Sequence, residues 1–142
     1  MLAVIRIRGE VHLSQEIKDT LSMLRLNRVN HCVVINETLN MTGMLRKTKD
    51  YITWGEIDDK TLEKLVAKRG RLVGDKKIEE KMSKEVVKEI LKNKSTKNVK
   101  DLKPVFRLSP PSKGYKSVRS SYPRGSLGYR GDNINILLNK MI

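Results

Sequence analysis

The chain has 142 residues, and its 30 Lys and Arg against 16 Asp and Glu give a net charge of +14. That length predicts a single domain, and that charge favours a polyanionic partner, with nucleic acid ahead of an anionic membrane. One cysteine and two histidines exclude a zinc site made of His and Cys alone, and no apolar run approaches the roughly 18 residues of a spanning helix. We therefore expect a soluble, cytoplasmic protein with no signal peptide and no bound metal or cofactor.

Residues 1–57 predict a βαβαβ unit. An apolar run from Leu2 leads into Arg6, Ile7 and Arg8, where apolar and basic residues alternate as in a strand. Ser14 can cap an amphipathic helix that runs to residue 26. A second strand is predicted at 31–35, a short basic helix at 42–49 and a third strand at 51–57. We expect an α+β fold of two layers, with helices on one face of the sheet and the other face left for a neighbour.

The positive charge is concentrated after this unit. Residues 1–60 hold nine basic and eight acidic groups, whereas residues 61–100 hold thirteen and six, and residues 101–142 hold eight and two. This asymmetry indicates a folded core followed by segments that face a polyanion. Two basic helices are predicted in the middle segment, one that ends at Gly70 and one that begins at Ser83.

A long stretch rich in Lys, Ser, Gly and Pro follows these helices and contains all four prolines, at 104, 110, 111 and 123. We expect an extended basic arm that a partner orders, the alternative being a flexible tail without function. An apolar segment after it should return to the body as a strand or short helix. The chain is thus divided into a core at 1–57, a basic helical extension at 58–94, an arm at 95–132 and a C-terminal segment at 133–142, all in one domain.

Four stretches of the sequence resemble one family. They read GMLRKTKDYITWGEI at 43–57, TLSMLRLNRVNHCV at 20–33, RLSPPSKG at 107–114 and LGYRGDNIN at 127–135. The first two are similar to the ribosomal protein L-thirty family at the expected separation. The last two resemble its long archaeal and eukaryotic members, whose eukaryotic counterpart is large-subunit protein seven. Thr48 departs from the family pattern, in which an aliphatic residue is usual at this position.

The resemblance implies a βαβαβ fold with an antiparallel three-stranded sheet, somewhat ferredoxin-like. It also implies a non-enzymatic constituent of the large ribosomal subunit that binds large-subunit ribosomal RNA, supports translation, can touch neighbouring ribosomal proteins and uses no small-molecule substrate. Charge alone leaves a freestanding nucleic-acid-binding protein as the alternative. A small RNA-cleaving or RNA-modifying enzyme would need titratable groups in a cleft, with Asp58, Asp59 and His31 as candidates. We expect the two aspartates to cap a helix rather than to hold magnesium, so no metal is assigned.

The candidate RNA-binding residues are cations of three segments, together with two tyrosines that lie among them. The basic helix at 42–49 offers its cations to adjacent phosphates, unless they only form a solvated face. The full set is Arg46, Lys47, Lys49, Arg69, Arg71, Arg107, Lys113, Tyr115, Lys116, Arg119, Arg124, Tyr129 and Arg130. Because aromatic residues make up only 4% of the chain, charge and shape should carry most of the binding.

The aromatic residues and a glycine-rich stretch leave alternatives open. Tyr115, Tyr122 and Tyr129 could stack on unpaired bases or pack against the protein itself. Trp54 lies in a predicted strand, where a core position is favoured over a binding platform. Two overlapping GxxG patterns within 125–131 match the loop of a KH domain, but no convincing helix precedes them, so this interpretation is disfavoured.

Overall fold

The structure is a computed structural model that describes residues 1–96, 99 and 101–142, apart from the side chains of residues 80 and 81. Residues 97, 98 and 100 of the predicted arm lie outside the described residues. The elements in chain order are β1 Leu2–Arg6, α1 Gln15–Met23, β2 His31–Ile35, α2 Leu39–Lys47, β3 Ile52–Glu56, α3 Asp59–Arg69, α4 Glu80–Asn93, β4 Val105–Arg107, β5 Gly128–Tyr129 and α5 Ile134–Met141.

Within the described residues, the sheet has five strands in the order β4-β2-β1-β3-β5. Its centre is the predicted antiparallel trio, in which β1 pairs with both β2 and β3, so the α+β prediction with a βαβαβ core is confirmed. The two further strands come from the segment predicted as an arm: β4 pairs antiparallel with β2, and β5 pairs parallel with β3. Strands of three and two residues are too short for an alternating pattern, and their hydrogen bonds join residues far apart in sequence.

Helices cover both faces of the sheet, so the expectation of an open second face was wrong. On one face, Val4 and Val33 form a core with Leu21 of α1 and Leu45 of α2. On the other face, the alternate strand residues pack against α3, α4 and α5 in a larger core. The apolar stripes of α3 and α4 require such a partner, because a helix buries its apolar side against another element.

The boundaries of three helices differ from the sequence pattern. Helix α1 ends at Met23 rather than at residue 26. Helix α2 begins at Leu39 rather than residue 42, because the hydroxyl of Thr38 accepts a hydrogen bond from the backbone N–H of Met41 at 3.3 Å and caps it. Helix α4 begins three residues before Ser83. Thr48, which departs from the family pattern, is fully buried and donates its hydroxyl to the carbonyl of Met44 at 2.9 Å, so its polar atom is satisfied.

The C-terminal segment returns to the body as helix α5. A short 3-10 turn at Gly131–Asn133 leads into it and lies against β3. Gly55 permits this approach, because a Cβ at that position would lie 2.1 Å from the carbonyl oxygen of Gly131. The side chain of Asn135 then bridges the end of β3 to the start of α3, accepting from Asp58 N and donating to the carbonyl of Glu56, each at 3.0 Å.

Cys32 is completely buried in the larger core, as its apolar neighbours in the sequence predict. Burial raises the pKa of its thiol to about 12, so it acts as a small hydrophobic side chain. Within the described residues, no three His, Cys, Asp or Glu side chains come together as ligands for a metal ion. No helix of the described chain is long and apolar enough to cross a membrane.

Candidate nucleic-acid interface

Strand directions bring distant parts of the chain to one end of the sheet. Arg6 at the end of β1 lies opposite Ile52 at the start of β3, and His31 at the start of β2 lies opposite Arg107 at the end of β4. Strand β5 also begins there, with Gly128 opposite the second residue of β3. The segment 108–127, which joins β4 to β5, therefore starts and finishes at this end, which we call the basic end.

The C-terminal turn of α2 and the residues that follow it place three cations at the basic end. Arg46, Lys47 and Lys49 are exposed, and the chain enters β3 directly after them. Lys47 forms an ion pair with Glu16 at 3.2 Å, but both side chains are solvent-accessible, so the pair contributes little to stability and can exchange for a phosphate. Arg8 joins this group, since its guanidinium donates to the carbonyl of Asp50 at 3.3 Å.

The end of α3 and the turn after it add a second group. Arg71 and Arg107, with Arg69 and Asp75, line a recess of about 370 Å³. Asp75 accepts a hydrogen bond from Lys103 at 2.6 Å and lies 4.0 Å from Arg107. The hydrogen bond from Lys103, its charge and the two neighbouring arginines hold the pKa of Asp75 below its ordinary value. The carboxylate thus stays ionised, and it offsets only part of the positive charge around the recess.

The guanidinium of Arg69 is hydrogen-bonded to other parts of the protein. It donates to the hydroxyl of Ser109 at 2.5 Å and to the carbonyl of Ile142 at 3.0 Å, with a longer contact to the carbonyl of Met141. These bonds tie the end of α3 to the beginning of segment 108–127 and to the end of α5. A role in binding RNA remains a prediction for this residue, and it would act alongside a structural one.

The segment 108–127 folds against the body and exposes cations from it. Leu108, Pro111 and Leu127 are buried, and the backbone N–H groups of Ser109 and Ser112 donate to carbonyls of α5 at 3.1 Å. The exposed cations of this segment are Lys113, Lys116, Arg119 and Arg124. The predicted extended arm is therefore a surface loop held by apolar anchors and backbone hydrogen bonds at both ends.

Tyr115 and Arg130 have internal partners. The hydroxyl of Tyr115 donates to the Asn30 side chain at 2.7 Å, and burial raises the pKa of this phenol to about 12. Arg130 donates to the hydroxyl of Thr53 at 2.9 Å and to the carbonyl of Ser126 at 2.7 Å, and burial lowers its pKa. For Tyr115, packing against the protein is the favoured alternative, and for both residues RNA contact stays a prediction.

The opposite end of the sheet carries carboxylates. Tyr129, the remaining predicted RNA-binding residue, also lies there. We call this the acidic end. It contains Glu56, the last residue of β3, together with carboxylates that follow β2, β3 and β5, namely Glu37, Asp58, Asp59 and Asp132. Tyr129 is exposed there and donates its hydroxyl to Glu56 at 2.6 Å. That hydrogen bond is the main cause that raises the pKa of Tyr129 to about 12, with desolvation and three nearby carboxylates adding to it. Trp54 is half-buried beside Tyr129, with ring centroids 6.4 Å apart, which supports the structural interpretation of this tryptophan.

Comparison with known proteins identifies the family. The profile described as ribosomal protein L30p/L7e matches residues 2–52. Large ribosomal subunit protein uL30 of Archaeoglobus fulgidus is 48% identical over 99% of both chains. The proteins of the same name from Methanococcus maripaludis and Methanosphaera stadtmanae are 48% and 46% identical, covering 99% and 100% of this chain and 98% and 100% of their own. The chain belongs to the ribosomal protein L30p/L7e family.

Membership in the L30p/L7e family confirms the resemblance read from the four sequence blocks. The family is one of ribosomal components rather than enzymes, which agrees with the prediction of a non-catalytic chain. The profile ends at the first residue of β3, so it covers the predicted core apart from most of its third strand. The full-length relatives also span the rest of β3 and the segments that supply α3, α4 and the loop 108–127.

Three cationic or titratable residues of the basic end were not predicted to bind RNA, although His31 was considered as a titratable group of an enzyme. Arg8 lies just after β1, Arg28 lies just before β2, and His31 is the first residue of β2. Each stands singly in the sequence, so no local cluster marks it. The available signal was their position at strand ends, but it becomes informative only when the antiparallel pairing places those ends together.

Proposed function

We propose that this chain is a structural constituent of the large ribosomal subunit and that it binds large-subunit ribosomal RNA through the basic end. Its archaeal relatives carry the name large ribosomal subunit protein uL30. The observation that supports RNA binding is the convergence of cations from α2, from the turn after α3, from the end of β4 and from the loop 108–127 on one end of one sheet. Most of these cations are exposed, and Arg71 is half-buried.

Recognition at this end is of phosphates and shape. Lys and Arg side chains that neutralise phosphates release condensed counterions, so the logarithm of the binding constant falls with the logarithm of salt by roughly 0.7 to 0.9 for each contact. The sheet and its two helix layers hold the Cα atoms of these residues in fixed positions. This reduces the conformational entropy that is lost on binding. Such contacts set the position of the protein on folded RNA without reading its sequence.

Neighbouring ribosomal proteins are the further partners within the subunit, and the setting is the cytoplasm, where the subunit works in translation. The role requires no cofactor and no small-molecule substrate.

Sucrose-gradient sedimentation of native lysate tests this proposal. We expect nearly all of the chain to sediment with large subunits at moderate salt and to be released by high salt, because phosphate contacts are screened. Recovery at the top of the gradient at low salt would reject the ribosomal role and favour a freestanding nucleic-acid-binding protein. Recovery with small subunits would reject the assignment to the large subunit.

A further inference from the structure

A second recess at the basic end contains a buried charge with an unused donor. Arg6, Gly9, Glu10, Asn27, Arg28 and Val29 line this recess, whose volume is about 410 Å³. The side chain of Arg6 is 2% exposed. Its Nη2 atom is buried and has no hydrogen-bond partner among the described residues. A buried donor on a charged group that lacks an acceptor is costly, so Nη2 of Arg6 favours a ligand that brings an acceptor atom.

The rest of the Arg6 guanidinium is firmly held. Its Nε donates to the carbonyl of Arg8 at 2.8 Å, and its Nη1 donates to the carbonyls of Leu26 and Asn27 at 2.7 and 2.9 Å. These bonds fix the plane of the group. The orientation of Nη2 is therefore set before any ligand arrives, so an acceptor that reaches it once Glu10 has moved meets a donor already in place.

Glu10 is the internal acid of the recess. One of its carboxylate oxygens lies 3.6 Å from Nη1 of Arg6, but its side chain is 55% exposed, and it belongs to the turn between β1 and α1. An ion pair with one partner in solvent contributes little. Glu10 thus compensates the Arg6 charge loosely, leaves Nη2 unsatisfied and can move away when another anion enters.

The surroundings favour an anion. Arg28 is exposed at the mouth of the recess, and His31 follows it at the start of β2, where it pairs with Arg107 of β4. The pKa of His31 is lowered by desolvation first and then by the charges of Arg107, Arg28 and Arg6. Three arginines close enough to oppose protonation of one imidazole produce a strongly positive local potential, which attracts phosphate.

We infer that this recess is a seat for one phosphate group of the ribosomal RNA backbone, bound between Nη2 of Arg6 and the guanidinium of Arg28 after Glu10 swings outward. The inference rests on the proposed function and deepens it by locating one contact. RNA phosphate is favoured over a carboxylate of a partner protein because the recess opens among the exposed cations of the basic end. Arg6 offers only Nη2, whereas the planar guanidinium of Arg28 matches the geometry of two phosphate oxygens.

Substitution of Arg28 tests the seat. Arg28→Ala should weaken binding to protein-free large-subunit ribosomal RNA about tenfold and reduce the salt dependence by about one phosphate contact. The matched control is Arg25→Ala, which removes the same charge from the same loop but lines an apolar recess between α1 and α2 instead. Equal losses for the two variants would show that only general charge matters and would overturn the seat.

Removal of the Glu10 charge should change the RNA affinity in the opposite direction. Glu10→Gln should strengthen binding to the same RNA, because the phosphate no longer competes with a carboxylate. Its control is Asp50→Asn, which removes another exposed carboxylate from the basic end. The seat predicts a larger gain at residue 10 than at residue 50, and it predicts that Arg28→Ala abolishes the extra gain. Equal gains, or a gain that persists without Arg28, would contradict it.

Two further outcomes separate the seat from the proposed function. If the unaltered protein does not bind large-subunit ribosomal RNA, the proposed function fails. If Arg28→Ala binds protein-free RNA normally yet enters large subunits poorly, the occupant is an acidic group of a neighbouring protein, and the phosphate assignment is wrong while the ribosomal role stands. All four substituted residues are exposed, so these comparisons do not depend on a weakened fold.

Discussion

The two ends of the central sheet carry opposite charge, although the part of the chain that builds most of it is nearly neutral. Residues 1–60 hold nine basic and eight acidic groups. Arg8, Arg28 and the cations that end α2 lie at the basic end, whereas Glu37 and Glu56 lie at the acidic end. Counts of charge along a sequence therefore locate cations in the chain but not in space, because the direction of each strand decides which end receives its flanking residues.

This separation has a functional consequence under the proposed role. A molecule with a positive and a negative end orients in the field of a polyanion before contact, and the carboxylates disfavour docking by the wrong end. The net charge of +14 supplies attraction, and its distribution supplies orientation.

The largest effect should come from neutralising the cations after α2. Replacement of Arg46, Lys47 and Lys49 by Ala should weaken binding to large-subunit ribosomal RNA by a factor of ten or more and lower the salt dependence by about two to three contacts. Filter binding over a salt series measures both quantities. A control with the same change in charge replaces Lys60, Lys88 and Lys92, which are exposed on α3 and α4 outside the basic end. If the control weakens binding as strongly, the ends of the sheet do not differ in function.

A smaller effect should distinguish the cations that are hydrogen-bonded inside the protein from those that are exposed, and it should appear in the free energy of unfolding. Arg130→Ala leaves the hydroxyl of Thr53 and the carbonyl of Ser126 without their guanidinium donor, so we expect a loss of about 1–3 kcal/mol in the free energy of unfolding. Arg119→Ala, on the exposed loop, should change that energy by no more than about 0.5 kcal/mol. Urea denaturation of both variants measures the difference. Similar losses would mean that Arg130 is not a structural cation.

Elements that depend on local sequence could be predicted, whereas elements that depend on contacts between residues far apart in the sequence could not. β1, β2 and β3 and the helices α1 to α4 have local periodicity, so the sequence predicts them with errors only at their ends. β4 and β5 depend on backbone pairing with β2 and β3, which no local pattern records. In the candidate site, Arg46, Lys47 and Lys49 are sequence neighbours and were found together, whereas Arg28 becomes a member only after β2 is placed beside β1 and β4.

The smallest effect concerns the acidic end. The raised pKa of Tyr129, about 12 in the folded protein, means that the folded state holds this proton more tightly than the unfolded state. The stabilisation is therefore complete below pH 10 or so, the ordinary phenol value, and is lost as pH rises through about 12. Because the side chain is exposed and screened by solvent, Tyr129→Phe should change stability at neutral pH only slightly. Its ultraviolet difference titration should lose a phenol that ionises near 12. RNA binding should be unchanged if only the basic end contacts RNA, whereas weaker binding by this variant would support the predicted RNA contact of Tyr129 and extend the interface to the acidic end.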